Sequence, residues 1–253
     1  MERYVGKVAI VTGASAGIGE ATVDSLTKAG MKVVGLARRV ERVQALADKL
    51  SKEGAKGKLY AVKCDMRVED DIVKAFEWTT KNVGNVQVLI NNAGVIGANS
   101  NLAEGITEEW RKVIETNVLG LCIATREATK IMKANKIEGH IIHINSIAGQ
   151  SHLFFPTIGV YGASKHAVTN LTEILRQEMV AQKTNIKVTS ISPGAVKTEI
   201  IDMAILTEEM KKLFADMPFL DSQDIADAVL YVLGVPHRVQ INELTIRPLN
   251  SSH

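Results

Sequence analysis

The sequence predicts an α/β fold: one doubly wound, parallel sheet of seven strands with helices on both faces. Three observations carry the prediction. Short Val/Ile-rich runs alternate along the chain with longer helical patterns, as right-handed strand–helix–strand units require. Some runs, such as Val8–Val11 and His140–Ile144, are apolar almost without interruption, the mark of strands covered on both faces. The length of 253 residues, with 46% apolar and 23% charged, suits one α/β domain able to bury a large core.

The elements follow in order. Lys7–Thr12 is the first apolar run and reads as a strand, followed by a helix over Gly17–Gly30. Lys32–Leu36 is the second strand and Val40–Glu53 the second helix. Strands near Lys58–Lys63 and Val88–Asn91 flank a helix near Val68–Asn82. A long helical pattern near Thr107–Asn135 precedes a strand at His140–Asn145, and another near Val160–Gln182 precedes Ile186–Ile191. Ile241–Ile246 completes the seven strands. Between about Ser192 and Asp221 the chain reads as irregular, with a helical piece near Thr207–Ala215; stretches of that size are often functional lids. No composition shift, repeat or low-complexity tract divides the chain. Residues 1–253 are therefore read as one domain, with a nucleotide-binding half over about 1–150 and a catalytic and substrate part over about 140–253. The lid is placed over about 193–221.

Composition narrows the function classes. A net charge of +2, with no basic run, argues against nucleic acid or an anionic membrane as partner. Cys64 and Cys122 lie in apolar stretches without metal-ligand spacing, so they read as buried free thiols of a reducing compartment, and no metal is expected. No apolar run approaches the roughly 18 residues of a membrane helix. The first strand begins too early to leave room for a signal peptide, and Ser251-Ser252-His253 is not the usual peroxisomal tripeptide. A cytoplasmic protein is expected. Aromatics are only 4%, so Ala, Val, Ile and Leu should build the core.

Two motifs carry chemistry. Thr12-Gly13-Ala14-Ser15-Ala16-Gly17-Ile18-Gly19 joins the first strand to the first helix. Its glycines let the backbone approach a pyrophosphate, and the helix N-terminus offers free N–H groups and positive dipole character. An NAD site usually ends its second strand on an acidic residue, but here that strand ends Gly35-Leu36-Ala37-Arg38-Arg39. Guanidinium recognises a phosphate bidentately, so Arg38 is assigned the 2′-phosphate of NADP(H). Arg39 reads as a second contact or as a solvated helix-start residue.

The other motif is Tyr161-Gly162-Ala163-Ser164-Lys165, preceded by Ser146. Four residues apart on a helix, the phenol and ammonium share a face. A neighbouring cation stabilises phenolate, so Lys165 is expected to lower the Tyr161 pKa toward that of a working acid–base. Ser146 lies at a strand end, on the sheet edge where such folds bind ligands. His143 and His166 read as packing or helix residues, and His152 as a loop histidine.

Together with Asn91-Asn92-Ala93-Gly94, Asn117 and Pro193-Gly194, these residues resemble the short-chain dehydrogenase/reductase family, from Lys7 to about Pro248. Ala37-Arg38-Arg39, Cys64-Asp65-Met66 and Asn145-Ser146-Ile147-Ala148-Gly149 resemble its NADP-dependent branch of member-11-like dehydrogenase/reductases and insect farnesol dehydrogenases. The resemblance implies a Rossmann fold and hydride transfer between nicotinamide and an alcohol or carbonyl. It implies Tyr161 as acid–base, Ser146 on the substrate oxygen, and Lys165 on the nicotinamide ribose. Asn117 would bend its helix and anchor a water on the proton path. The implied cofactor set is Gly13, Ser15, Gly17, Ile18, Gly19, Arg38, Arg39, Asp65, Met66, Asn92, Ala93, Gly94, Tyr161, Lys165, Pro193, Gly194, Val196 and Thr198. Within it Asp65 meets the adenine and Thr198 the carboxamide or phosphate.

The lid and walls read Leu153, Phe154, Phe155, Ile200, Ile201, Met203, Ile205 and Leu206, with Phe154, Phe155, Ile200 and Met203 as substrate contacts beside Ser146. Such a surface favours an apolar alcohol or carbonyl, an isoprenoid such as farnesol, a retinoid or a steroid. A dehydrogenase of small hydroxy acids or serine-like alcohols is the rival enzyme, and a non-catalytic NADP(H) sensor the rival of another class. The family implies packing of the helices near Thr107–Asn135 and Val160–Gln182 against a second subunit, giving a homodimer or homotetramer.

Overall fold

The computed structural model describes residues 1–151, 159–204 and 217–251, and for residues 202–204 the backbone alone. Seven strands form one sheet: β1 Val8–Thr12, β2 Lys32–Ala37, β3 Lys58–Lys63, β4 Val86–Asn91, β5 His140–Ile144, β6 Lys187–Pro193 and β7 Glu243–Ile246. Their order is β3-β2-β1-β4-β5-β6-β7, and every neighbouring pair is parallel. The order reverses between β1 and β4, and the crevice at the carboxyl ends of these two strands is where ligands bind such sheets.

Alternate strand residues feed two cores. Ala9 and Val11 of β1 and Ile142 of β5 face helices α1 (Gly17–Lys28) and α2 (Val40–Lys52). Ile10 and Ile141 face the other side, against α3 (Glu69–Asn82) and the helical residues Ile123, Ala128, Leu175 and Met179. The aliphatic composition shows directly, since Phe76 is the one aromatic among the largest fully buried side chains described. Cys64 is buried and its thiol pushed up to about 12 by burial, while Cys122 is half-buried.

The long pattern near Thr107–Asn135 resolves into three pieces. Helix α4 (Thr107–Ile114) passes through a π-turn at Glu115–Leu119 into α5 (Gly120–Ala134). Helix α6 spans Gly159–Ala181. Two helices were not expected. Residues Glu199–Ala204 form α7 inside the stretch read as irregular, and Ser222–Gly234 form α8. The Asp221 N–H donates to the Asp224 carboxylate at 2.8 Å, closing a capping box, and Ile225, Val229 and Val232 pack into the first core. The piece expected at Thr207–Ala215 lies outside the described residues. No helix among the described residues is long and apolar enough to cross a membrane.

Candidate active site

The nucleotide loop leaves β1 at Thr12. Gly13 and Gly17 hold φ of +69° and +56°, the left-handed region that favours glycine. At Gly19 a side chain would meet the Gly13 carbonyl and, at 2.5 Å, the Asn92 amide. Ala16, at the N-cap of α1, offers no side-chain acceptor, so the first N–H groups of that helix are left for an anion. Ser15 and Ile18 are half-buried beside them.

Thr12 binds this loop to the next one. Its Oγ1 accepts from the N–H groups of Asn92 and Ala93, both at 3.0 Å, and Asn92 Nδ2 donates to the Thr12 carbonyl at 2.8 Å. Gly94 follows, close enough to the second motif that an added Cβ would lie 3.6 Å from Asn117 Oδ1 and 3.9 Å from Lys165 Nζ. This cradle of glycines beside a helix N-terminus without a side-chain cap fits a dinucleotide.

Asn117 sits in the π-turn. Its Oδ1 accepts from Val95 N–H at 2.8 Å, while Nδ2 donates to the Val95 carbonyl at 2.9 Å and to Ser164 Oγ at 3.0 Å. Ser164 donates in turn to the Tyr161 carbonyl at 2.7 Å. One amide thus ties the loop after Gly94 to the start of helix α6.

Ser146 lies two residues beyond β5, where its Oγ accepts from Ala148 N–H at 3.1 Å and its side chain stands within hydrogen-bonding reach of the Tyr161 phenol. Lys165, one turn beyond Tyr161, is 6% exposed; its Nζ lies 5.8 Å from the Tyr161 ring centre and donates to the Ile144 carbonyl at 2.9 Å. Burial lowers Lys165 to about 8. Burial raises the Tyr161 phenol, with the Ser146 bond pulling the other way. The expected priming of Tyr161 by Lys165 is therefore not what this protein shows on its own. The ammonium is engaged by a backbone carbonyl, and desolvation of the phenolate dominates.

Arg38 and Arg39 are exposed at the carboxyl end of β2. Arg39 pairs with Glu199 at 2.8 Å, whereas Arg38 makes no ion pair among the described residues. Asp65 is held by Arg67 at 2.6 Å, which keeps its carboxyl below the usual range, and the Met66 side chain packs in the second core. Pro193 ends β6, and Gly194 N–H donates to the Ile246 carbonyl at 2.7 Å. Val196 is buried and bridged to Leu220, and Thr198 lies against Gly17, whose added Cβ would stand 2.8 Å from Thr198 Cγ2.

Of the residues expected at the substrate, Ile200 packs against Ile96, and Tyr161 packs against the same Ile96, so the two isoleucines form an apolar wall on the Tyr161 side of the site. Phe154 and Phe155 lie outside the described residues, as do His152, Leu153, Ile205 and Leu206; so does the Met203 side chain. His143 is buried and held neutral, pushed down to about 3 by burial and then Lys165. Its Nδ1 lies 2.9 Å from Thr172 Oγ1, which itself donates to the Val168 carbonyl, so the ring donates there. His166 Nδ1 faces the Gly162 carbonyl at 3.0 Å. Thr12 and Ser164 stand within the two motifs but were given no role there, and Ile96 belongs to neither motif. Ser164 could have been found as a polar residue directly before the buried lysine.

The short chain dehydrogenase family model matches residues 7–209, and this chain belongs to that family. It is 50% identical over 249 residues to farnesol dehydrogenase of Aedes aegypti, covering 98% of each chain. It is 40% identical over 252 residues to dehydrogenase/reductase SDR family member 11 of Homo sapiens, covering 98% of this chain and 96% of that one. Among solved structures, the closed form of a serine dehydrogenase complexed with NADP⁺ matches with a TM-score of 0.86 at 32% identity, covering 97% and 96%. An actinorhodin polyketide ketoreductase with NADPH matches at 0.82 and 28% identity, covering 98% of both. The protein is an oxidoreductase of a nicotinamide-using family with a single doubly wound domain.

Proposed function

We propose that this protein is an NADP(H)-dependent oxidoreductase of apolar alcohols and their carbonyls, with an isoprenoid alcohol of the farnesol type as substrate. The observation that carries the reading is the convergence of Ser146, Tyr161 and Lys165 beside Gly94, at the crevice where the sheet order reverses. The apolar wall of Ile96 and Ile200 supports the substrate class, as does the likeness to farnesol dehydrogenase.

When bound, the cofactor supplies or accepts a hydride at nicotinamide C4. The residues handle the rest. Ser146 holds the substrate oxygen and stabilises charge developing there. Tyr161 gives its proton to that oxygen in carbonyl reduction and takes it back in alcohol oxidation. Lys165, charged below about 8, holds the nicotinamide ribose and faces the phenolate as it forms. Asn117 fixes the Gly94 loop and, with Ser164, the first turn of α6. Arg38 receives the 2′-phosphate, Asp65 the adenine edge, and Thr198 the carboxamide or phosphate.

The likeness to serine dehydrogenase favours a second reading, oxidation of small hydroxy acids or serine-like alcohols. NADP(H)-coupled turnover across terpenoid alcohols, retinoids, steroids and hydroxy acids separates the two. Preference for farnesol over serine is expected; turnover confined to hydroxy acids overturns the apolar assignment. NADPH binding with no turnover across that panel would leave a sensor. The protein is further assigned to the cytosol, as a homodimer or homotetramer. The α5–α6 face, where Ile174 is 43% exposed, would be the subunit contact.

A further inference from the structure

Three arginines gather where β2 hands over to α2: Arg38 and Arg39 before the helix, and Arg42 in its first turn. Cations at a helix N-terminus oppose the helix dipole, so the cluster calls for an anion. One is already present. Glu199, the first residue of α7, reaches Arg42 Nη1 with Oε1 at 2.6 Å and Arg39 Nη2 with Oε2 at 2.8 Å. Its carboxyl is held below the usual range by Arg42 and then Arg39, so it is fully charged at neutral pH. Glu20 and Glu41 act on Arg42 only at longer range. Glu199 comes from a segment otherwise fixed close by, with Thr198 against Gly17 and Lys197 N–H donating to the Leu220 carbonyl at 2.9 Å.

We propose that Glu199 is a built-in competitor for the 2′-phosphate, and so a determinant of how strongly this protein prefers NADP(H) over NAD(H). The inference rests on the NADP(H) reading above. Glu199 cancels one of the two charges of Arg39 and Arg42, while Arg38 stands within electrostatic reach of Asp65, itself paired with Arg67. An incoming 2′-phosphate meets a cluster already partly neutralised, and must either share Arg39 with Glu199 or displace it. A dinucleotide without the 2′-phosphate has no such contest. Glu199 therefore lowers selectivity below what the arginines alone would give.

The test is fluorescence titration of NADPH and of NADH against the parent and Glu199→Gln, at about 0.05 M and about 0.5 M salt. The amide keeps the shape and removes the charge, and the half-exposed position leaves folding intact. At low salt, Glu199→Gln tightens NADPH roughly two- to fivefold, the range of exposed ion pairs, and leaves NADH unchanged. The gain shrinks toward zero at high salt. No change, an equal change for both dinucleotides, weaker NADPH binding, or a gain that survives high salt would each overturn the proposal. Arg38→Asp, titrated alongside, tests the underlying reading and should abolish the NADPH preference. Should that preference survive while Glu199→Gln still tightens NADPH, the assignment of Arg38 falls and the competitor role stands on Arg39 and Arg42.

Discussion

Tyr161 stands between two opposing influences. Burial disfavours its phenolate, and the Ser146 hydrogen bond partly restores it. Its ionisation should therefore come at higher pH than that of an ordinary phenol. In ultraviolet titration of the cofactor-free protein, the difference between parent and Tyr161→Phe should show one late-ionising phenol. Ser146→Ala should push that phenol later still, since it removes the lowering contact; an earlier ionisation would contradict the geometry. The motif residues were legible because a shared helix face at four-residue spacing needs no tertiary information. The acceptor for Lys165 was not, because it is the backbone carbonyl of Ile144, and a carbonyl has no letter in the sequence.

Elements were legible where periodicity was long and boundaries were marked. All seven strands fall where apolar runs predict them, with β4 starting two residues earlier, β6 ending two residues later and β7 starting two residues later than read. Helix α8 escaped because its start signal is Asp221 with Asp224 rather than the commoner Ser or Thr with Glu, and because it follows a stretch read as irregular. That box fixes where α8 begins and so how Ile225 and Val229 enter the first core. Asp224→Ala is expected to cost about 0.5–1 kcal/mol, lowering Tm by about 1–4 °C without touching cofactor affinity. An unchanged melting temperature would show that packing alone sets the helix. The π-turn at Glu115–Leu119 was legible only through Asn117, an amide out of place in an apolar helix face.

For the whole molecule, the parallel sheet collects the site at one edge and buries two histidines in its middle. His140 and His143 are both about 1% exposed and pushed down to about 3, chiefly by burial. Unfolded histidine titrates near 6.5. Between about 3 and 6.5 the unfolded chain binds the extra protons, so stability is at its plateau above this window and falls as pH drops through it. Each histidine should contribute a slope of up to about 1.4 kcal/mol per pH unit, and denaturant unfolding of His143→Gln should show about one proton less. A slope equal to the parent's would mean that His143 is not held neutral. Fold class and cofactor loop were open to sequence reading because they depend on local patterns, whereas the strand order is set by tertiary pairing and had no local signature. The charge balance around Arg39 and Arg42 was not legible either, since Glu199 lies 157 residues from Arg42 and meets it only in the folded chain.

The central claim is that Tyr161 and the nicotinamide serve one reacting carbon, and isotope transfer reads this directly. With NADPH deuterated at the transferable C4 position and farnesal as substrate, mass spectrometry should find one deuterium on the carbinol carbon of the product. Tyr161→Phe should still bind NADPH but transfer at least about a hundredfold more slowly. Deuterium-free product, or transfer by Tyr161→Phe at the parent's rate, would contradict the account.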